Sequence, residues 1–214
     1  MLDRILDAHG GLTYWRTLSA IEIDMSARGF LFTAKGVPVQ RHARMVLSTR
    51  EPHVVIHDYP NQGQQAVFDG SDEPRAAFPK WRWDAEDFAY FSSYAMWNYL
   101  NLPFLLLHPG VEVSPQPPRP DGLTRLRVTF PPDIPTHSRE QELTFDADGR
   151  LLRHDYTAEV VGGWAKAAHL CSDYRKFGGL WMPTRRRVYP RGPGGRPLKA
   201  PTLVAVDIHD ARPY

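Results

Sequence analysis

Apolar and polar positions alternate with a period of two over most of the chain. Residues 19–28, 39–48, 53–59 and 64–68 read this way. So do residues at about 122–130, 139–146, 150–160, 164–175, 180–189 and 202–210. A period of two sends successive side chains to opposite faces of a strand. Turn formers separate the runs, as at Arg50-Glu51-Pro52, and the Pro- and Gly-rich stretches 115–121 and 191–201 predict loops.

Two stretches follow a helical period instead. Leu2, Ile5 and Leu6 predict a short helix that Gly10-Gly11 ends. Asp84 is a predicted N-cap, with Asp87 three residues later and Glu86 in the first turn. Residues 85–101 then run as a helix until Pro103. Phe88, Phe91, Ala95 and Asn98 share one face, and Tyr90, Tyr94 and Trp97 another. A helix with aromatics on several faces is covered on more than one side. One long antiparallel sheet, interrupted by this helical excursion, is the simplest organisation.

The strongest hairpin signal is Gly162-Gly163. If Val161 pairs with Trp164, Tyr156 faces His169 and His154 faces Cys171. If the 146–149 turn (DADG) pairs Phe145 with Arg150, Gln141 faces His154 and Arg139 faces Tyr156. Both registers then agree on one face: Arg139, Gln141, Leu143, Phe145, Leu152, His154, Tyr156, Ala158, Ala167, His169 and Cys171. The opposite face, with Glu140, Glu142, Arg153, Asp155, Glu159 and Lys166, is charged and predicted to be solvated. A one-residue slip would reverse these assignments.

Two imidazoles, a phenol and a guanidinium on one inner face can bind a polar head group or move protons. They can equally hold one another in a buried network. Candidate catalytic residues are His154, His169, Tyr156 and Arg139. Candidate ligand-binding residues are Gln141, His137, Cys171, Phe88, Phe91, Tyr94, Trp97 and Phe104. Asp133 in the stiff loop 131–138, and Arg44, His57 and Tyr59 in the first half, are further candidates for the same concavity. His137, His154 and His169 lack the close spacing of a metal motif, so no metal is expected. The lone Cys171 fits a small buried hydrophobe better than a nucleophile.

Composition narrows the classes. The chain has 214 residues, a net charge of +2 and a single cysteine. That excludes an internal disulfide and argues against nucleic acid as a partner. The start MLDRILDAHGG has no apolar leader region, and the longest apolar run, LPFLLL at 102–107, is far too short to span a bilayer. The expectation is a cytoplasmic chain without stable membrane insertion. No P-loop, dinucleotide or GxSxG motif is present, so no cofactor is expected.

AHGG followed by WRTL near the start, and DYRKFGGLWMPTRRRV at 173–188, resemble the outer-membrane lipoprotein carriers and other LolA/LolB-like proteins. The stretches at 97–106, 130–141 and 153–169 are similar to those of an uncharacterised bacterial family of comparable length. The resemblance implies a mainly β fold with a helical lid. It would be a strongly curved antiparallel sheet, an open half-barrel over an apolar cavity, forming a single domain over 1–214 with its lid at about 85–101. On such a scaffold the inner-face residues point to a small-molecule or lipid-like ligand, with its apolar body under the lid aromatics and its head near Arg139, His154, Tyr156 and His169. Two alternatives accompany this reading. One is a cofactor-independent enzyme with a histidine base, performing isomerisation, cyclisation or hydrolysis. The other is a lipoprotein or lipid carrier.

Overall fold

The computed structural model describes residues 1–70 and 80–214. Two short helices, α1 (Leu2–Asp7) and α2 (Leu12–Trp15), precede strand β1 (Ala20–Arg28). Helix α3 (Phe30–Lys35) follows, then β2 (Gln40–Ser48), β3 (Val54–His57) and β4 (Gln65–Phe68). The long helix α4 (Ala85–Asn101) comes next. Seven strands complete the chain: β5 (Glu112–Pro115), β6 (Thr124–Thr129), β7 (Glu140–Phe145), β8 (Leu151–Thr157), β9 (Lys166–Phe177), β10 (Leu180–Pro190) and β11 (Val204–Pro213). Helices α2 and α3 and strand β5 lie outside the segments that alternation marks.

These strands form one antiparallel sheet in the order β4-β3-β2-β1-β11-β10-β9-β8-β7-β6-β5. Each neighbour is also adjacent in sequence, except where β11 returns to pair with β1. Strands β4 and β5 are therefore opposite edges. The connection between them has to cross the sheet, and α4 lies on that connection.

The sheet curves around this helix. The Trp97 indole N–H and the Asn101 side-chain amide both donate to the Ser48 carbonyl at the end of β2, at 3.0 and 3.2 Å. From across the helix, Arg186 on β10 donates to the Tyr99 carbonyl at 3.1 Å. Tyr156 on β8 meets the Tyr99 hydroxyl at 2.7 Å. One helix reaches β2, β8 and β10 together because the open sheet coils about it. Every residue from Phe91 to Asn101 is buried, so α4 is a core helix as well as a cover.

Local chemistry starts this helix where the sequence indicates. The Asp84 carboxylate accepts from the Asp87 N–H at 2.9 Å, and the Asp87 carboxylate accepts from the Asp84 N–H at 3.1 Å. This reciprocal capping box satisfies two donors that a helix leaves open. Lys80 also donates to Asp87 at 2.9 Å, which pairs a carboxylate that is wholly buried. On β1, Ile21, Ile23, Met25 and Ala27 face the core and the residues between them face out. Among the described residues, no helix is long and apolar enough to cross a membrane.

The predicted hairpins are corrected in detail. Residues 158–165 form two successive turns, closed by Ala158 accepting from Val161 at 2.8 Å and Gly162 accepting from Ala165 at 2.8 Å. The ladder therefore closes at Thr157–Lys166, and His154 pairs with His169. The predicted pairing of Tyr156 with His169 is off by two residues. A shift of two preserves the faces. In the other hairpin Phe145 pairs with Leu151, and a bulge follows before Thr144 meets Arg153. Leu151 (2% exposed) therefore takes the core position expected for Leu152.

Candidate ligand cavity

Between α4 and the inner face of the sheet lies a cavity of about 700 Å³. Its walls are Met25 and Ala27 of β1, Val204 and Val206 of β11, Val188 of β10 and Ala167 of β9. Phe88, Phe91, Ser92, Ala95 and Met96 of α4 close it from above. Positions 88, 91, 92, 95, 96 and 99 recur at three and four residues, so one stripe of the helix faces the space. Small residues make the room, because Ala27, Ala95, Ala158 and Ala167 stand where larger side chains would fill it. Helix α3 contributes Leu31, Phe32 and Ala34 and carries the wall toward the opening.

The rim has a different character. Phe30, Trp81 and Trp164 are exposed apolar residues there, at 55%, 89% and 79%. Lys35, Lys80, Lys166 and Arg191 stand on the same rim. Lys80 is held by Asp87, and Arg191 approaches Asp155 at 3.4 Å.

At the inner end three polar groups reach the cavity wall: Tyr99, His137 and Tyr156. The His137 ring lies between Tyr94 Oη at 3.0 Å (Nδ1) and Tyr99 Oη at 2.6 Å (Nε2). Tyr99 Oη continues to Tyr156 Oη at 2.7 Å. Burial pushes the His137 pKa down to about 3, so the ring is neutral with one donor and one acceptor nitrogen. The relay then has two consistent orientations. When Tyr94 donates to His137, the ring donates to Tyr99, Tyr99 donates to Tyr156, and the Tyr156 O–H is left to donate into the cavity. In the reverse orientation Tyr156 donates to Tyr99 and offers its own lone pairs instead. Tyr156 can thus meet either a donor or an acceptor on a bound molecule. Burial raises the pKa of all three tyrosines, which keeps them protonated.

Behind Tyr156 lies a second layer that does not line the cavity. Gln141 uses its amide N–H groups on Thr136 Oγ1 and on the Ser138 carbonyl at 2.8 Å, so its oxygen faces His154 Nε2. His154 therefore carries its proton on Nε2, and among the described residues neither its Nδ1 nor either ring nitrogen of His169 has a hydrogen-bond partner. Burial, first, and then the nearby Arg186 charge hold both imidazoles well below their ordinary pKa. Arg186 is 2% exposed. Its guanidinium donates to Cys171 Sγ at 3.5 Å and to the Tyr99 carbonyl, and lies 5.3 Å from the Tyr99 ring centre. Burial raises the pKa of the Cys171 thiol, which disfavours a thiolate nucleophile.

The predicted residues thus divide. Phe88, Phe91, His137 and Tyr156 line the cavity. Gln141, His154, His169 and Cys171 are buried behind it. Tyr94 reaches it only through His137. Trp97 turns to Ser48, and Phe104 stacks on Trp15 with ring centres 4.2 Å apart, both on the far side of α4. Arg139 is exposed at the entry to β7, with its Nε donating to the Phe130 carbonyl at 3.3 Å. The inner cation is Arg186 instead. Alternation carries the signal: Met182, Thr184, Arg186 and Val188 are all buried on one face of β10. Asp133 is exposed, Arg44 approaches Glu22 at 3.9 Å, the His57 ring bonds Gln65, and the Tyr59 hydroxyl donates to the Ala85 carbonyl. None of these four lines the cavity. Asp155 was expected in solvent and is 5% exposed, covered by Arg153 and Arg191.

No family model and no curated protein matches this chain. Among solved structures it is similar to a LolA superfamily protein from Nitrosomonas europaea, with a TM-score of 0.41 and 11% identity, over 91% of this chain and 85% of that one. It is also similar to a DUF1329 family protein from Desulfovibrio piger, with a TM-score of 0.44 and 14% identity, over 99% of this chain and 90% of that one.

Proposed function

We propose that this chain binds an amphipathic small molecule in the cavity under α4. The apolar body would lie along Met25, Val206, Phe91, Ala95 and Met96. An anionic or polar head would stay at the rim beside Lys35, Lys166 and Arg191. This replaces a head group at Arg139, His154 and His169, which do not face the cavity. The observation that carries the reading is the cavity itself: about 700 Å³ with apolar walls, open at one end, and with one versatile hydroxyl at the other. Apolar walls with a few convergent polar groups are the ordinary make-up of a small-molecule site. The inner groups are neutral, so they suit a hydroxyl or carbonyl on the ligand better than a charge.

Filling the cavity tests this. Ala95→Trp and Ala167→Phe place large side chains in the space without touching the rim. A dansyl-labelled long-chain fatty acid should bind the native chain saturably and both variants at least tenfold more weakly. No saturable binding to the native chain, or equal binding to both variants, would overturn the proposal. Native mass spectrometry of the purified protein would identify a co-purified ligand.

Chemistry on the bound molecule is a second reading, favoured by one observation. Tyr156 is the cavity-wall end of a hydroxyl–imidazole relay, and such a relay can carry a proton. Turnover lost in Tyr156→Phe, with binding retained, would support it.

A further inference from the structure

On the outer face of the sheet, away from the cavity, the structure assigns a second site: Asp24, His42 and His209 form a binding site for a divalent transition-metal ion of the zinc class. The three residues come from β1, β2 and β11, which are neighbours in the sheet. Strand β1 alternates regularly, so Asp24 and Ser26 point outward while Ile23, Met25 and Ala27 point into the core. Both flanking strands are irregular at this level. The β1–β11 register shifts between Asp24 and Met25, and His209 is the extra residue. The β1–β2 register shifts between Met25 and Ala27, at Arg41 and His42. As a result two consecutive residues on each strand, His209 with Asp210 and Arg41 with His42, are exposed on the outer face. A bulge re-aims a side chain in this way. Here two bulges aim two imidazoles at one carboxylate.

The geometry suits a metal. His42 Nδ1 lies 3.1 and 3.0 Å from the two Asp24 oxygens. One ligand atom from each of the three residues lies within 4.8 Å of the others. Zinc binds such atoms at about 2.0–2.2 Å, so two ligands on one ion stand about 3.4 Å apart. Asp24 and His42 are already that close, and a side-chain rotation of His209 closes the set. The His42 and His209 rings stack with centres 4.6 Å apart. Ser26 Oγ lies 2.8 Å from His209 Nε2 and accepts from the His42 backbone N–H at 3.3 Å, which orients the site from beneath. Two nearby cations have carboxylate partners, Arg44 near Glu22 and Arg212 near Asp210, and Arg175 donates to the His209 carbonyl at 3.1 Å. His42 also holds φ at 50°, a left-handed value that a non-glycine residue adopts at a cost. Two imidazoles and a carboxylate select zinc, cobalt, nickel or copper over magnesium or calcium, and leave a position open for water.

The test is calorimetric titration of the full chain with Zn²⁺, any polyhistidine tag having been removed. One saturable site per chain is expected, with a zinc-dependent rise in melting temperature. His209→Ala and Asp24→Asn should each weaken binding roughly tenfold or more. His42→Asn should do the same, and it suits the left-handed backbone better than alanine does. His108→Ala, at a half-buried position elsewhere in the fold, should leave the affinity unchanged. Circular dichroism of each variant separates loss of binding from loss of fold. Absence of a saturable site in the native chain, or a site that survives the combined H42N and H209A changes, overturns the proposal. Because Asp24 and both histidines lie outside the cavity, fatty-acid binding should be unaffected in every variant.

Discussion

Arg186 holds the C-terminal turn of α4 from a different element, donating to the Tyr99 carbonyl at 3.1 Å with its guanidinium 5.3 Å from the Tyr99 ring centre. The last four carbonyls of a helix have no partner within it, and the helix dipole favours a cation there. The last turn of α4 contains no basic residue of its own, so β10 supplies the charge. Among the described residues no carboxylate pairs with Arg186. Arg186→Met keeps the volume and removes the charge and its bond. It should lower unfolding stability by about 2 kcal/mol. Arg186→Ala adds a cavity and should cost about 4 kcal/mol. Urea titration of both variants checks the order. An unchanged or raised stability in Arg186→Met would show that desolvation of the guanidinium outweighs its bonds.

Four buried imidazoles make this fold acid-sensitive. Burial lowers the His9 pKa to about 4 and that of His137 to about 3, and holds His154 and His169 well below the ordinary value. In the unfolded chain each titrates near about 6.5. Below that pH the unfolded state binds more protons, so stability is intact above about pH 6.5 and falls as the pH drops. The loss should approach about 1.4 kcal/mol per pH unit for each histidine. Urea midpoints between pH 7.5 and 5 should show a steep decline. In His137→Gln, which retains hydrogen bonding, the slope should be shallower by one proton.

The outline of the sheet was legible because alternation is a local property, and so was the start of α4, where Asp84 and Asp87 announce the cap. The common face of Gln141, His154, Tyr156, His169 and Cys171 was legible for a subtler reason. The loop after β8 is longer than a two-residue turn, but it moves the register by two and side chains keep their faces. The bulge at Leu151–Leu152 breaks that parity locally, and nothing in LLRHDY announces it. Arg139 and Arg186 show the other limit. Each stands at an inward parity, yet Arg139 is at a strand end beyond the covered region, whereas Arg186 sits mid-strand beneath α4. Parity gives the face, and only the three-dimensional path of α4 decides which part of that face is covered. The same holds for His154 and His169, whose exclusion from the cavity depends on where the Tyr99 and Tyr156 rings lie. The outer bulges at His42 and His209 leave no sequence signal, since both residues lie inside segments that read as uninterrupted strands.

The capping box predicts a graded pair of effects. Asp84→Ala removes an exposed cap and should cost about 1 kcal/mol. Asp87→Ala removes a buried carboxylate that accepts from the Asp84 N–H and from Lys80, and should cost about 2–3 kcal/mol. Because Phe88 follows directly, fraying of this turn should also weaken the dansyl fatty acid binding of Asp87→Ala. Lys80 also approaches Asp84 at 3.6 Å, so equal stability losses in the two variants would mean that its closer contact with Asp87 adds nothing beyond that one.

Tyr99 and Tyr156 should respond differently to loss of a hydroxyl. Tyr99 Oη bonds both His137 Nε2 and Tyr156 Oη. Tyr99→Phe therefore leaves a buried imidazole nitrogen and a buried phenol without their partner, and should cost about 2–3 kcal/mol in stability. Tyr156→Phe breaks one bond at the end of the relay and should cost about 1 kcal/mol. Its larger effect should be on ligand choice. With Tyr156 present, a chain ending in a hydroxyl should bind better than the same chain ending in a methyl group, because the hydroxyl meets a group able to donate or accept. With phenylalanine there, the order should reverse, since a polar end would be buried unpaired. Competition of the two chains against the dansyl probe, in both proteins, measures this directly. If the preference is the same in both proteins, Tyr156 does not contact the inner end of the ligand, and the molecule lies nearer the rim.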